Sequence, residues 1–221
     1  MPPDSMADEL RVGGFVPFTT VDYPDRLSAV VFCQGCPWRC RYCHNPHLQP
    51  WQADVRWRWD EILEELAERR GFLEAVVFSG GEPTAQAGLK GAIHTVRALG
   101  YAIGLHTAGI YPARLAAVLP LVDWVGLDIK APLDQRYGRI TGCPSSESAA
   151  AQSLELVLLS GVAVQIRTTV HPTLLSDDDL RDMQNELARR GGGPVHIQPF
   201  RPDGCTDLSL LASPDFPHGQ R

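Results

Sequence analysis

Short apolar runs alternate along most of the chain with longer stretches in which apolar residues recur at helical spacing. A short apolar run bounded by turn residues is typical of a buried strand, and an apolar stripe at helical spacing indicates a helix packed on one face. The pattern predicts strands over residues 28–32, 74–78, 101–105, 122–129, 162–170 and 195–200. It predicts intervening helices over residues 60–70, 85–99, 112–119, 146–160 and 177–190.

This regular alternation is typical of an α/β protein with a parallel sheet and helices outside it. A complete eight-stranded barrel needs about 250 residues. The chain has 221 residues, so we expect an incomplete (β/α)6 barrel, a partial TIM barrel. An open, doubly wound sheet is the competing architecture. In both architectures the functional site lies where the carboxyl ends of the strands meet.

The two ends of the chain depart from the alternating pattern. Residues 1–27 are expected to form a lead-in hairpin or extension before the first barrel strand. Residues 201–221 are rich in Pro, Ser, Gly and Asp and are expected to form an irregular C-terminal tail. We expect residues 1–221 to make one domain, because a chain of this length with ordinary globular composition is typical of a single core.

Charge and hydropathy narrow the classes of function. The net charge is -6 and the sequence has no basic stripe, which argues against a nucleic-acid binder. No uncharged apolar run is long enough to cross a bilayer, and the N-terminus lacks the basic start and apolar stretch of a signal peptide. We therefore expect a cytoplasmic protein with no nucleic-acid partner and no membrane partner.

The cysteines are unevenly spread, since Cys33, Cys36, Cys40 and Cys43 fall close together directly after the first predicted strand. A tight cysteine cluster in a chain without export signals indicates a metal site rather than disulfides. One interpretation closes all four thiolates around zinc. The other uses Cys36, Cys40 and Cys43, spaced C-x3-C-x2-C, to hold three irons of a four-iron cluster. We interpret Cys33 as a core thiol, because four ligands from so short a run are sterically awkward and Cys33 ends an apolar strand. Ligation of the cluster by Cys33 is the alternative.

The C-x3-C-x2-C loop, with Tyr42 just before its last cysteine, resembles that of the radical S-adenosylmethionine enzymes. Two further stretches are similar to motifs of that family: Gly80-Gly81-Glu82-Pro83 and Asp128-Ile129-Lys130. The resemblance implies a [4Fe-4S] cluster on Cys36, Cys40 and Cys43, with S-adenosylmethionine as the second cofactor. It requires no catalytic side chain beyond the cluster and the cofactor.

Both added motifs have a structural interpretation beside the functional one. Glycines let the backbone approach a ligand closely, so residues 80–83 fit the cofactor's ammonium group, but they also fit a tight turn before a helix. Asp128 and Lys130 point the same way on a strand, so Lys130 fits the cofactor's carboxylate, but the two also fit a surface salt bridge. The resemblance further implies cofactor contacts by Tyr42, His106, Thr107, Arg167, Gln198 and Arg201.

Residues 14–24, taken together with residues 43–46, resemble the small activating enzymes of glycyl-radical proteins. The similarity is greatest to activators of anaerobic ribonucleoside-triphosphate reductase, and Asp25, in place of an expected glycine, affects only a local turn. The resemblance implies that S-adenosylmethionine is cleaved to methionine and a 5′-deoxyadenosyl radical, which takes hydrogen from a partner's backbone glycine. It implies a glycyl-radical enzyme as protein substrate and an electron donor such as flavodoxin or ferredoxin.

Three other functions stay open at this point. The chain has no cysteine between Cys43 and Gly80, so it lacks the ferredoxin-like insert of some pyruvate formate-lyase activators, but an activator of a pyruvate formate-lyase-like enzyme without that insert is an alternative. A radical S-adenosylmethionine enzyme acting on a small molecule, such as a deazaguanine-forming synthase, is another. From a different class, a zinc-stabilised interaction protein without catalysis would also use the cysteine loop.

Overall fold

A single sheet organises the computed structural model, which describes residues 10–53 and 57–212. In that part of the chain each strand lies beside the next one in sequence, so the order is β1 to β7. β1 runs antiparallel to β2, and every later pair is parallel. The strands are β1 (Val12–Thr19), β2 (Ser28–Cys33), β3 (Ala75–Gly80), β4 (Ala102–Thr107), β5 (Trp124–Asp128), β6 (Ala163–Val170) and β7 (His196–Pro199).

Helices occupy the connections between the parallel strands. They are α1 (Trp59–Glu68), α2 (Leu89–Ala98), α3 (Pro112–Val118), α4 (Gln135–Thr141), α5 (Ser146–Ser160) and α6 (Asp177–Arg189), followed by α7 (Leu208–Leu211) near the end of the described chain. Every strand and helix predicted from the apolar pattern is present, with bounds that shift by a few residues.

The predicted incomplete (β/α)6 barrel is confirmed. β2 to β7 are parallel strands in sequential order, joined by connections that carry helices. A doubly wound sheet reverses its strand order at a switch point, and this sheet does not reverse. β1 extends the sheet on one side, so the lead-in contributes a strand of its own.

Three local features differ from the expectations. The helix predicted over residues 85–99 begins at Leu89, because Pro83–Ala85 forms a short 3-10 turn. Helix α4 is an addition: it is short, and its start is marked only by Asp134, whose side chain accepts a hydrogen bond from the backbone N–H of Arg136. The expected irregular tail includes α7, and the rest of it, residues 213–221, lies outside the described residues.

Buried side chains pack on both faces of the sheet, one facing the helices and the other facing the barrel interior. The larger core lies between the sheet and the helices and includes Phe78, Leu105 and Leu127, all without solvent exposure. A smaller apolar cluster lies inside the barrel, where Tyr23 packs against Trp124 with ring centroids 5.3 Å apart. Tyr23 comes from the loop between β1 and β2, so the lead-in closes the lower half of the barrel interior and leaves the upper half open.

No helix in the described part of the chain is both long enough and apolar enough to span a bilayer.

Tyr23 therefore provides a test of the interior packing. We expect Tyr23→Ala to lower the free energy of unfolding by about 3 kcal/mol, the usual cost of truncating a buried aromatic side chain. The matched control is Val21→Ala in the same loop, because the Val21 side chain is 86% exposed and surface changes usually stay within about 0.5 kcal/mol. Urea denaturation measures both, and equal stabilities of the two variants would contradict an interior role for Tyr23.

Candidate active site

The upper half of the barrel encloses a cavity of about 620 Å³. It lies at the carboxyl ends of the parallel strands, where this architecture places functional sites. Most of the predicted site residues lie on its wall: Cys36, Cys40, Tyr42, Cys43, Gly80, Gly81, His106, Thr107, Asp128, Lys130, Arg167, Gln198 and Arg201. Glu82 and Pro83 do not lie on the wall and are both buried behind it.

The first half of the cysteine loop is held by the buried side chain of Gln34. Its amide nitrogen donates hydrogen bonds to the carbonyl oxygens of His47, at 3.0 Å, and Pro50, at 2.7 Å. The backbone N–H of Cys36 donates to the carbonyl of Gln49 at 3.0 Å. These bonds close residues 34–50 into a compact loop, so the cysteines are presented by a fixed backbone.

The second half of the loop is held by the end of α4. The backbone N–H groups of Arg39 and Arg41 donate to the carbonyls of Thr141 and Ile140, at 2.8 and 3.0 Å. No sequence pattern predicts this contact, because it joins two segments about a hundred residues apart and α4 is not among the predicted helices.

The C-terminal segment, residues 201–212, fastens onto the same loop. Arg41 pairs with Asp207 at 2.8 Å, and the thiol of Cys205 lies 3.4 Å from the Arg41 carbonyl. The buried ring of His171 contacts the carbonyl of Leu210 at 3.1 Å. The segment is therefore anchored both to the cysteine loop and to the end of β6.

The thiols of Cys36, Cys40 and Cys43 lie on the cavity wall, whereas Cys33 is fully buried and does not. Burial, with a smaller contribution from the charge of Glu82, raises the pKa of Cys36 to about 12. Burial also raises the pKa of Cys40 to about 11. These thiols carry their protons until a metal displaces them.

The two metal interpretations make different geometric demands. Four thiolates on one zinc ion must converge on a single point. Within residues 10–53 and 57–212, no three His, Cys, Asp or Glu side chains converge in that way. In a four-iron cluster each thiolate binds its own iron, and Cys36, Cys40 and Cys43 all line one cavity in which such a cluster can be held.

Gly80 and Gly81 let two backbone segments approach beneath the cavity. Gly80 has φ of +115°, a conformation that favours glycine. A Cβ on Gly81 would lie 2.3 Å from the carbonyl oxygen of Gly35, inside the cysteine loop. Any larger residue would therefore separate the glycine turn from the cysteine loop.

Glu82 takes a structural position in this turn. Its carboxylate accepts hydrogen bonds from the hydroxyls of Thr84 and Thr107, both at 2.6 Å, and from the backbone N–H groups of Thr84 and Ala108, both at 3.0 Å. Burial raises the pKa of Glu82, and these hydrogen bonds oppose the rise. The side chain thus joins the end of β3 to the end of β4, and the prediction that it touches the cofactor has no geometric support.

Asp128 is the centre of an ion network that lines the same cavity. Its Oδ1 lies 2.9 Å from Arg167 Nε and Nη2, and its Oδ2 lies 3.2 Å from Lys130 Nζ. Burial alone would raise the pKa of Asp128, but the charges of Arg167 and Lys130 outweigh it and hold the pKa well below its usual range. The pKa of Lys130 is correspondingly raised, because the charge of Asp128 outweighs the effect of burial. These residues form an internal network, not the surface salt bridge that the sequence left open.

His106 touches this network from β4. Its Nε2 lies 3.2 Å from Arg167 Nη1 and 2.9 Å from the carbonyl oxygen of Asp22. Without a hydrogen, Nε2 accepts a hydrogen bond from the Arg167 guanidinium. With a hydrogen, it donates to the Asp22 carbonyl, so it can bond only one of the two partners at a time. Burial, and then the charge of Arg167, lower the pKa of His106 to about 4, so the ring is neutral near pH 7.

Gly126 gives Arg167 and His106 the space they need. A Cβ at this position would lie 2.9 Å from Arg167 Cζ and 3.0 Å from a ring carbon of His106. The absence of a side chain on β5 therefore allows the network to form inside the barrel.

Tyr42 packs beneath Lys130, whose Nζ lies 5.7 Å from the ring centroid. Its hydroxyl is buried and has no hydrogen-bond partner among the described residues. A buried polar atom without a partner is costly. Within the described part of the chain, the hydroxyl therefore lacks the hydrogen bond that its burial normally requires.

Several wall residues were missed by the sequence analysis. Thr169 and His196 each lie two positions from a predicted residue, Arg167 and Gln198, so strand alternation offered a signal for them. Asp22, Phe32 and Ser79 also line the wall. Asp22 carried no such signal, because its position follows from how the lead-in loop enters the barrel.

The fold and the cavity agree with the sequence comparisons. Residues 30–187, more than half of the chain, match the Radical SAM superfamily. The protein is therefore a radical S-adenosylmethionine enzyme, and this superfamily uses a [4Fe-4S] cluster and S-adenosylmethionine.

Individual relatives narrow the assignment. A pyruvate formate-lyase-activating enzyme from Clostridium pasteurianum is 33% identical over 198 residues, which cover 86% of this chain and 82% of that protein. The pyruvate formate-lyase 1-activating enzyme from Escherichia coli is 28% identical over 204 residues, covering 85% and 78%. The chain belongs to the family of glycyl-radical enzyme activating enzymes, which are radical S-adenosylmethionine oxidoreductases.

A solved structure supports the fold. SuiB from Streptococcus suis, bound to S-adenosylmethionine, has a TM-score of 0.62 at 14% sequence identity and covers 79% of this chain and 40% of that chain. At this identity the similarity concerns the fold alone.

The cavity fits both cofactors of the family. Three cavity-facing thiols match a cluster with one iron left for another ligand. The partnerless hydroxyl of Tyr42, the close-packed glycine turn and the cationic Lys130 match a ligand that carries polar and anionic groups.

The neutral His106 predicts how stability depends on pH. An unfolded chain protonates this ring near pH 6.5, whereas the folded protein does so near pH 4. Between these values the unfolded state binds the extra proton, so the free energy of unfolding falls as the pH falls, by at most about 1.4 kcal/mol per pH unit. We expect His106→Gln to show a shallower slope in urea denaturation from pH 6.5 to 4.

The matched control is His94→Gln on α2, because the His94 side chain is exposed. It is expected to keep the slope of the unchanged protein. A His106→Gln slope equal to that of the control would show that burial does not suppress protonation of His106.

Proposed function

We propose that this protein generates a glycyl radical on a partner enzyme by reductive cleavage of S-adenosylmethionine. The observation that carries the proposal is that Cys36, Cys40 and Cys43 line the same cavity as the Asp128–Lys130–Arg167 network. Family membership supplies the chemistry that belongs to such a wall. When bound, the cluster and S-adenosylmethionine supply a one-electron cleavage that gives methionine and a 5′-deoxyadenosyl radical.

Two groups of cavity residues have separate roles in this proposal. Cys36, Cys40 and Cys43 bind the cluster through their thiolates. The backbone carbonyls of Gly80 and Gly81 accept hydrogen bonds from the cofactor's ammonium group, and Glu82 fixes that turn without touching the cofactor.

A second group of cavity residues orients the rest of the cofactor. Lys130 neutralises the cofactor's carboxylate, and Asp128 keeps Lys130 charged and fixed in place. Arg167, held at 2.9 Å by Asp128, offers its remaining N–H groups, and Tyr42 offers its hydroxyl. We assign contacts near the sugar and base to Thr107, Gln198 and Arg201, and we assign His106 to positioning Arg167.

The cavity also limits which atoms a primary radical can reach. The apolar cluster of Tyr23 and Trp124 closes the interior below, and the cysteine loop closes one side. Excluding water protects a reactive intermediate from side reactions. A glycine-bearing loop of a protein substrate enters through the remaining opening and covers it.

Two partners are candidates. The resemblance of residues 14–24 and 43–46 favours an anaerobic ribonucleoside-triphosphate reductase. The Clostridium pasteurianum and Escherichia coli relatives are pyruvate formate-lyase activators, so a pyruvate formate-lyase-like partner fits at least as well. An electron donor such as flavodoxin or ferredoxin reduces the cluster in either case.

The chemistry is tested without a partner. After anaerobic reconstitution with iron and sulfide, the reduced protein is expected to convert S-adenosylmethionine to 5′-deoxyadenosine, measured by chromatography. Cys40→Ala is expected to abolish this product, because one iron loses its protein ligand. Cys143→Ala is the matched control, since Cys143 does not lie on the cavity wall, and it should keep the full rate.

Metal analysis of the same samples tests the alternative of a zinc-stabilised protein without catalysis. A protein that retains one zinc ion through four cysteines, contains no iron and leaves S-adenosylmethionine intact would overturn the proposal.

The partner is tested by spectroscopy. The reconstituted protein is incubated with S-adenosylmethionine and, separately, with a purified anaerobic reductase or a pyruvate formate-lyase-like enzyme from the same genome. We expect an organic radical signal in electron paramagnetic resonance on one partner, with hyperfine structure that changes when its glycine is labelled with deuterium. A signal on the lyase-like enzyme alone would refute the reductase assignment. Formation of 5′-deoxyadenosine with neither partner acquiring a radical would refute both partner assignments.

A further inference from the structure

One arginine inside the cysteine loop makes contacts that the proposed chemistry does not yet use. Arg39 lies between Cys36 and Cys40 in sequence. Its Nη1 donates hydrogen bonds to the carbonyl oxygen of Cys36 at 2.5 Å and to that of Trp38 at 2.9 Å. The guanidinium thus folds back onto the backbone of one of the proposed iron ligands.

The surroundings leave the charge of Arg39 uncompensated. No carboxylate among the described residues pairs with it, whereas its neighbour Arg41 is paired with Asp207. The sequence has no Asp or Glu from residue 26 to residue 53, although the chain is acidic as a whole. Arg39 is an exposed side chain outside the cavity wall, and its guanidinium, unpaired in the described part of the chain, keeps a positive charge at the backbone of Cys36 at every accessible pH.

Hydrogen bonds hold the Arg39 guanidinium in a fixed position, so its charge acts on the cysteine loop from a constant distance. The backbone N–H of Arg39 donates to the Thr141 carbonyl at 2.8 Å, and the two side-chain bonds hold the guanidinium against the loop. A cation held close to a cluster favours the form with one more electron, so it raises the reduction potential. Contacts of this kind around metal ligands commonly tune a site.

We propose that Arg39 is a positioning and tuning residue for the cluster. Its hydrogen bonds fix the backbone between Cys36 and Cys40, and its charge makes the cluster easier to reduce. The inference rests on the proposed ligand set, but it requires neither cofactor cleavage nor a partner.

The test measures the midpoint potential of the cluster in the reconstituted full-length protein without S-adenosylmethionine. Electron paramagnetic resonance monitors the titration, which is run at low ionic strength so that salt screens the charge only weakly. Arg39→Gln, which removes the charge, is expected to shift the midpoint to a more negative potential. Arg39→Lys keeps the charge and is expected to stay near the original potential. Arg139→Gln is the matched control, because Arg139 is an exposed arginine on the adjoining helix α4.

Each outcome decides the inference. An unchanged potential in Arg39→Gln at full iron content, or an equal shift in Arg139→Gln, would overturn it. If Arg39→Gln assembles no cluster, Arg39→Lys decides between the two roles. Full iron content at the original potential supports the role of charge, and failure to assemble refutes the role of charge and supports positioning by the hydrogen bonds alone. An unchanged protein that assembles no cluster would instead refute the ligand set and the proposed function.

Discussion

The contact of Asp128 with two cations determines how the upper half of the barrel is arranged. One carboxylate oxygen holds Arg167 and the other holds Lys130, so two strands and the loop after β5 share a single charged centre. Removing one member of such a network leaves uncompensated charge in a poorly hydrated interior. The network also sets the states of its neighbours, since His106 stays neutral beside Arg167 and Lys130 stays charged above Tyr42. The polarity of the whole cavity wall depends on this carboxylate.

The polar wall is possible only because the lower barrel is apolar. Tyr23 and Trp124 fill the interior beneath it, and Gly126 leaves the space that the Arg167 side chain occupies. A barrel of fewer strands than the complete form is open between its edge strands. Here β1 extends one edge and the loop that follows it enters the interior. The lead-in is therefore part of the barrel's packing and not an appendage to it.

Sequence reasoning reached the fold through local pattern, because each strand and helix carries its own periodicity, as in β3 and α6. It reached the thiols, the glycine turn and the Asp128–Lys130 pair because those motifs are short and contiguous. It did not reach the role of Glu82, since the partners Thr107 and Ala108 belong to another strand end. The roles of Gln34 and α4 were not predicted for the same reason. Both hold the cysteine loop through contacts between segments that are distant in sequence. Long-range hydrogen bonds leave no periodic trace in one sequence.

The fastening of residues 201–212 onto the cysteine loop has a consequence for how the protein matures. The Arg41–Asp207 pair joins residues 166 positions apart, and the entropic cost of closing so long a loop must be met before the contact stabilises anything. During synthesis the N-terminal half emerges first, with its thiols but without the segment that completes their surroundings. The loop reaches its final set of contacts only after residues 201–212 have been synthesised and have folded back onto it.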